Sequence, residues 1–149
     1  MEKVTLWVES QVSHMGQIIT GFLMLKQQGW DVEIVNNVKN EPGFYHGVPM
    51  IRAEYRGKKL VYDLGDGYNV PEDIMTGLDD CDFYFKRSFS PEKNQKLLER
   101  YEGKMFPLGL YFRVTYKGNP INEPLWKAML KPLMGKASAR YFVPKVFEG

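Results

Sequence analysis

The sequence predicts an α/β domain with a mostly parallel sheet flanked by helices, and three observations carry that prediction. Val4-Thr5-Leu6-Trp7-Val8 is a run of β-favouring residues, Ile18, Ile19, Phe22, Leu23 and Leu25 recur at helical spacing, and residues 30–35 alternate Trp, Val, Ile and Val. Strand, helix and strand in about 33 residues match a parallel βαβ unit. The rhythm returns later, where Phe83-Tyr84-Phe85 runs into a predicted helix over 91–101 and residues 104–110 read as a further strand. Between these halves the rhythm breaks. Residues 50–55, the turn Arg56-Gly57-Lys58 and residues 60–62 read as an antiparallel hairpin excursion.

The elements follow in order. The first strand, apolar at nearly every position, is expected to be buried on both faces. A polar loop over 9–16 leads into the first helix, which Gly29 stops. After the hairpin, residues 63–68 form a turn-rich loop, and Pro71 opens a short helix over 72–77. Ser90 is placed as the N-cap of the next helix, with Pro91 at its first position. Pro107 and Gly109 mark the last strand as an edge strand or one that a ligand approaches closely. The turn Lys117-Gly118-Asn119-Pro120 follows, and Asn122 is expected to cap a helix carrying Leu125, Trp126, Met129, Leu130 and Leu133 that Pro132 kinks or ends. The expected division is therefore a domain over 1–116 and a basic helical segment over 117–149, packed on that domain or leading out of it.

Composition narrows the function classes. A chain of 149 residues fits one domain with a real core. The single Cys81 leaves no internal disulfide, and its place on a predicted strand suits a buried, inert thiol. Net charge is only +2, which argues against a dedicated nucleic-acid binder. No leader or spanning stretch is legible, so a cytoplasmic protein is expected. The charge is uneven: Lys117, Lys127, Lys131, Lys136, Arg140 and Lys145 face only Glu123 and Glu148 in the last segment. Interleaved with apolar residues, these cations suit either peripheral contact with anionic lipid or a helix packed on the sheet with its lysines in water.

Chemistry concentrates at three places. Lys86-Arg87-Ser88 stands where a strand turns toward a helix, the position at which open α/β sheets bind ligands. Two cations, hydroxyls and a helix start there suit an anionic or polyhydroxylated ligand, or else a strand ending in ordinary surface charge. The loop after the first strand offers Ser10, Ser13 and His14 beside Gly16; His14 can serve as a general base near neutral pH, or Ser13 or His14 can simply cap the helix. Asp63 and Asp66, set among Gly65 and Gly67, can bind a sugar hydroxyl, act as a hydrolytic carboxylate pair, or bond their own backbone as turn aspartates do. The glycine fingerprints of dinucleotide and P-loop sites are missing, and neither metal-ligand spacing nor a Gly-x-Ser-x-Gly elbow is present. No cofactor and no metal is expected.

Taken together, residues 4–29, the hairpin ending Val61-Tyr62-Asp63-Leu64-Gly65-Asp66-Gly67, and Phe83-Tyr84-Phe85-Lys86-Arg87-Ser88 with Phe106-Pro107-Leu108-Gly109-Leu110 resemble the N-terminal half of the two-Rossmann-domain (GT-B type) glycosyltransferases of bacterial polysaccharide assembly. The resemblance implies a Rossmann-like domain holding a sugar or lipid-linked acceptor, with a nucleotide-sugar donor gripped by a second half that these residues do not include. It implies that Ser10, Ser13, His14 and Gly16 face the acceptor, with Lys86, Arg87 and Ser88 on the same edge. The alternative is a non-catalytic binding module for an anionic metabolite or a partner protein.

Overall fold

The computed structural model describes residues 3–8, 13–36, 49–109, 114 and 116–119. Six strands, β1 (Lys3–Val8), β2 (Asp31–Asn36), β3 (Met50–Tyr55), β4 (Lys58–Asp63), β5 (Phe83–Lys86) and β6 (Met105–Pro107), form one mixed sheet in the order β2-β1-β3-β4-β5-β6. Helices α1 (Gly16–Gln27), α2 (Glu72–Leu78) and α3 (Gln95–Arg100) flank it. The pairs β1·β2, β4·β5 and β5·β6 are parallel, and β3 is antiparallel to both of its neighbours. The α/β class is as the sequence predicts. The hairpin is not an excursion, however: β3 and β4 are central strands that join the two parallel halves.

The local chemistry explains the elements. α1 ends in a Schellman motif, with the Trp30 amide donating to the Leu25 carbonyl and the Gly29 amide to Lys26, and Gly29 at φ 94° supplies the left-handed residue this ending requires. The hairpin closes through Arg56 and Gly57, both at positive φ (51° and 70°), the two-residue geometry whose twist matches the strands. Pro71 stands in the cap position of α2, as predicted. α3 begins later than its periodicity suggests. Ser90 Oγ does accept from the Lys93 amide, but residues 91–94 form turns, because the Asn94 side chain folds back to accept from the Ser90 amide at 2.6 Å.

Two cores lie on opposite faces of the sheet. Leu6, Val8, Ile51, Ala53 and Leu64 pack with Met15 and Ile19 on the α1 side. Met50, Val61, Cys81 and Tyr84 pack with Ile74, Leu78, Leu97, Tyr101 and Met105 on the side of α2 and α3. β1 departs from expectation, since Val4, Leu6 and Val8 are buried while Thr5 and Trp7 are only half-buried. Its second face meets none of the described helices and instead sets Trp7 against the Arg52 guanidinium, 5.6 Å from the ring centroid. The predicted boundary falls at a turn that still touches the domain: the buried Asn119 amide donates to the Gly16 carbonyl (2.9 Å) and to Thr20 Oγ1 (3.1 Å). The predicted helix from Asn122 and the basic stretch after it lie outside the described residues. No helix among the described residues is long and apolar enough to cross a membrane.

Candidate functional site

Strand register assembles the site. The parallel pairing of β4 with β5 sets Asp63 beside Lys86 and Val61 beside Tyr84, so Asp63, Lys86 and Tyr84 share one face at the carboxyl edge of the sheet. Lys86 Nζ lies 2.8 Å from Asp63 Oδ2, and both side chains are essentially unexposed (1% and 0%). The Tyr84 hydroxyl donates to the same oxygen at 2.6 Å, and the Gly65 amide donates to Oδ1 at 2.8 Å. Asp63 is thus a buried carboxylate compensated by an ammonium, a phenol and a backbone amide, as burial of a charge requires. Burial, reinforced by the Asp63 charge and hydrogen bond, drives the Tyr84 phenol far above its ordinary range, so it keeps its proton and donates.

The next turn outward is held just as firmly. Arg87 Nη1 lies 2.5 Å from Asp66 Oδ1 and donates to the Leu64 carbonyl at 3.2 Å. The Ser88 hydroxyl is within donating distance of the Gly65 (3.1 Å) and Asp66 (2.8 Å) carbonyls. Gly65 is a tight position: a Cβ there would lie 3.0 Å from Asp63 Oδ1, closer than side chains ordinarily approach. The far end of the loop is tied by Asn94, itself buried, whose amide donates to the Tyr68 carbonyl at 2.5 Å.

His14 joins this edge from the loop after β1. It is half-buried on the short turn Ser13–Met15 that precedes α1. Burial lowers its pKa below the ordinary value, the Arg87 charge lowers it further, and Asp66 partly opposes them. The imidazole is therefore neutral at pH 7, the form that accepts a proton. Met15, not Ser13 or His14, occupies the cap position of α1. Gly16 is buried, and a Cβ on it would meet the Val114 carbonyl at 3.2 Å, so its small size serves packing. Ser10 lies outside the described residues, as does the Ser13 side chain.

Several expectations change accordingly. Lys86, expected to face a ligand, has its ammonium buried against Asp63. Of the two aspartates read as a possible pair, Asp63 is buried in the sheet and accepts from the Gly65 amide of its own loop, the arrangement of a turn aspartate. Asp66, with its side chain 77% exposed, is the carboxylate that faces outward. Sequence reasoning missed Tyr84, Asn94 and Asn119; the only local trace of these is the Ser90-to-Asn94 spacing, since the other partners are distant in sequence. Among the described residues no group of three or more His, Cys, Asp or Glu side chains can hold a metal. A cavity of about 430 Å³ lined by Lys3, Thr5, Trp7, Glu54, Arg56 and Gly57 opens at the opposite edge of the sheet. Its Lys3 is ion-paired with Glu33 at 2.7 Å and it holds no histidine, whereas the carboxyl edge brings together an imidazole, a carboxylate and a guanidinium, so the chemistry is better sought there.

No family model, no curated protein and no solved structure matches the chain.

Proposed function

We propose that these residues form the Rossmann-like, acceptor-side domain of a GT-B-type glycosyltransferase, which moves a sugar from a nucleotide-sugar to a hydroxyl acceptor in cytoplasmic polysaccharide assembly. One observation carries the reading. Arg87 and Asp66, from the loops after β5 and β4, pair at the carboxyl edge, and both lie near enough for their charges to act on His14 from the loop after β1, where β1 leads to β2 on one side and β4 leads to β5 on the other. That reversal is where open α/β sheets bind ligands. A neutral His14 takes the proton of the attacking hydroxyl, while the Asp66–Arg87 pair orients the acceptor. Asp63, Lys86, Tyr84 and Ser88 hold the loop that presents them, and the nucleotide-sugar is gripped by a second half. A lipid-linked acceptor, and peripheral membrane contact through the basic segment beyond residue 117, belong to the same proposal.

The test is sugar transfer by the full polypeptide that carries these residues, assayed with a panel of nucleotide-sugars. His14→Ala is expected to slow transfer by about a hundredfold or more while leaving acceptor binding in place. An unchanged rate would remove His14 as the base. A second reading, a binding module without turnover, is favoured by the pairing of both edge cations with carboxylates of the neighbouring loop, Lys86 inside the fold and Arg87 at its surface, which suits presentation of a ligand as well as it suits catalysis. Ligand binding lost in Asp66→Ala, with no transfer from any nucleotide-sugar, would decide for that reading.

A further inference from the structure

We propose that the ligand seated at this edge is a neutral, hydroxyl-rich sugar unit and not a phosphate group; this rests on the acceptor-side reading above. The two cations of the edge are already neutralised, Lys86 by Asp63 and Arg87 by Asp66. Lys86 is buried, so of the two only Arg87 can meet a ligand, and its guanidinium already serves Asp66 and the Leu64 carbonyl. A phosphate would have to displace Asp66 or lie beside a carboxylate that is 77% exposed.

Several backbone amides of the edge are also already engaged. Phosphate sites in α/β folds rely on amide N–H groups turned toward the ligand. Here the Leu64 amide donates to the Pro49 carbonyl, Gly65 to Asp63, Arg87 to the Asp63 carbonyl and Phe89 to the Arg87 carbonyl. What the edge presents outward is an exposed carboxylate joined to a guanidinium, with the Ser88 hydroxyl beside it. That set accepts hydrogen bonds from hydroxyls and returns one strong donor, as polyhydroxyl recognition needs. A phosphate in a lipid-linked acceptor would then sit away from this edge, with its sugar here.

The experiment is amide-resolved NMR titration of the whole chain with two probes, a panel of methyl hexosides and inorganic pyrophosphate. At least one hexoside is expected to move the Gly65, Asp66 and Ser88 amides and the His14 ring, with pyrophosphate binding there at least about tenfold more weakly. Asp66→Asn, an exposed and nearly isosteric change, should then gain about tenfold or more in pyrophosphate affinity by releasing Arg87; Asp66→Ser provides the same test with a shorter side chain. Pyrophosphate binding the wild type as tightly as any hexoside would overturn the inference and leave the acceptor-side reading standing, with a phosphate-bearing acceptor. If neither probe moves these signals in the wild type, both fall.

Discussion

Asp63 has three donors on its two oxygens, and of these only Lys86 carries the opposite charge, so removing it leaves a carboxylate without a counter-charge inside a sheet. Truncating one member of a buried ion pair typically costs about 3–5 kcal/mol, whereas replacing both members is far milder. Lys86→Met is therefore expected to destabilise the domain by about that amount in urea unfolding, with Asp63→Asn/Lys86→Met recovering much of the loss. A double variant no better than the single one would mean the pair is not coupled as its geometry implies. Cys81 makes the second residue-scale prediction. Burial pushes its thiol up to about 11 from an ordinary value of 9.0, so the folded chain keeps its proton where the unfolded chain loses it. Its stabilising contribution is thus complete below pH 9.0 and fades as pH rises toward 11, at up to about 1.4 kcal/mol per pH unit. Cys81→Ala should show a shallower fall of stability over that window, and the wild-type thiol should react with alkylating reagents only on unfolding.

At the scale of elements, the loop between β4 and α2 is rigid because both neighbouring segments bond it. Arg87 and Ser88 hold its first turn, and Asn94 reaches from the start of α3 to the Tyr68 carbonyl. Asn94→Ala removes that bond and the one to the Ser90 amide, two part-buried hydrogen bonds whose loss is expected to cost about 1 kcal/mol. Hydrogen exchange should show faster opening of the Ser90–Asn94 turn and of the loop amides, with β1 and β3 unchanged; unaltered exchange in the loop would mean Asn94 does not hold it. The sequence announced most of these elements and little of their joining. Hydrophobic period and Gly or Pro punctuation locate α1, the hairpin and α2, because those signals act within a few residues. Asn94 escaped notice because a polar residue in a helical window reads as solvated, and only the fold reveals that it is buried. Lys86 stands at the strand end that the sequence predicts, but nothing local to Phe85-Lys86-Arg87 shows that Asp63 is its neighbour.

Across the whole molecule, the two parallel halves meet through β3, and that antiparallel strand sets the distance between the loop after β1 and the loops after β4 and β5. The α/β class was legible because strand–helix–strand periodicity is local. The insertion of β3 between β1 and β4 was not, since strand order is settled by which apolar faces cover one another. The convergence of His14 with Asp66 and Arg87 exists only if that order is correct, so the imidazole reports on it. Its pKa is lowered first by burial and then by Arg87, and raised by Asp66. In an NMR pH titration, His14 is therefore expected to titrate below 6.5 in the folded chain and to return to that value in urea. Arg87→Ala should raise the midpoint by removing a repelling charge and leaving Asp66 unopposed. Asp66→Asn should lower it by removing the attracting one. The same shift makes His14 favour folding above pH 6.5, a contribution lost as pH falls toward the folded-state value and the unfolded chain binds the proton more readily. Opposite displacements in the two variants would place the three loops at one edge. Two variants that leave the midpoint unmoved would separate His14 from the β4 and β5 loops and remove the basis for assigning it as the base.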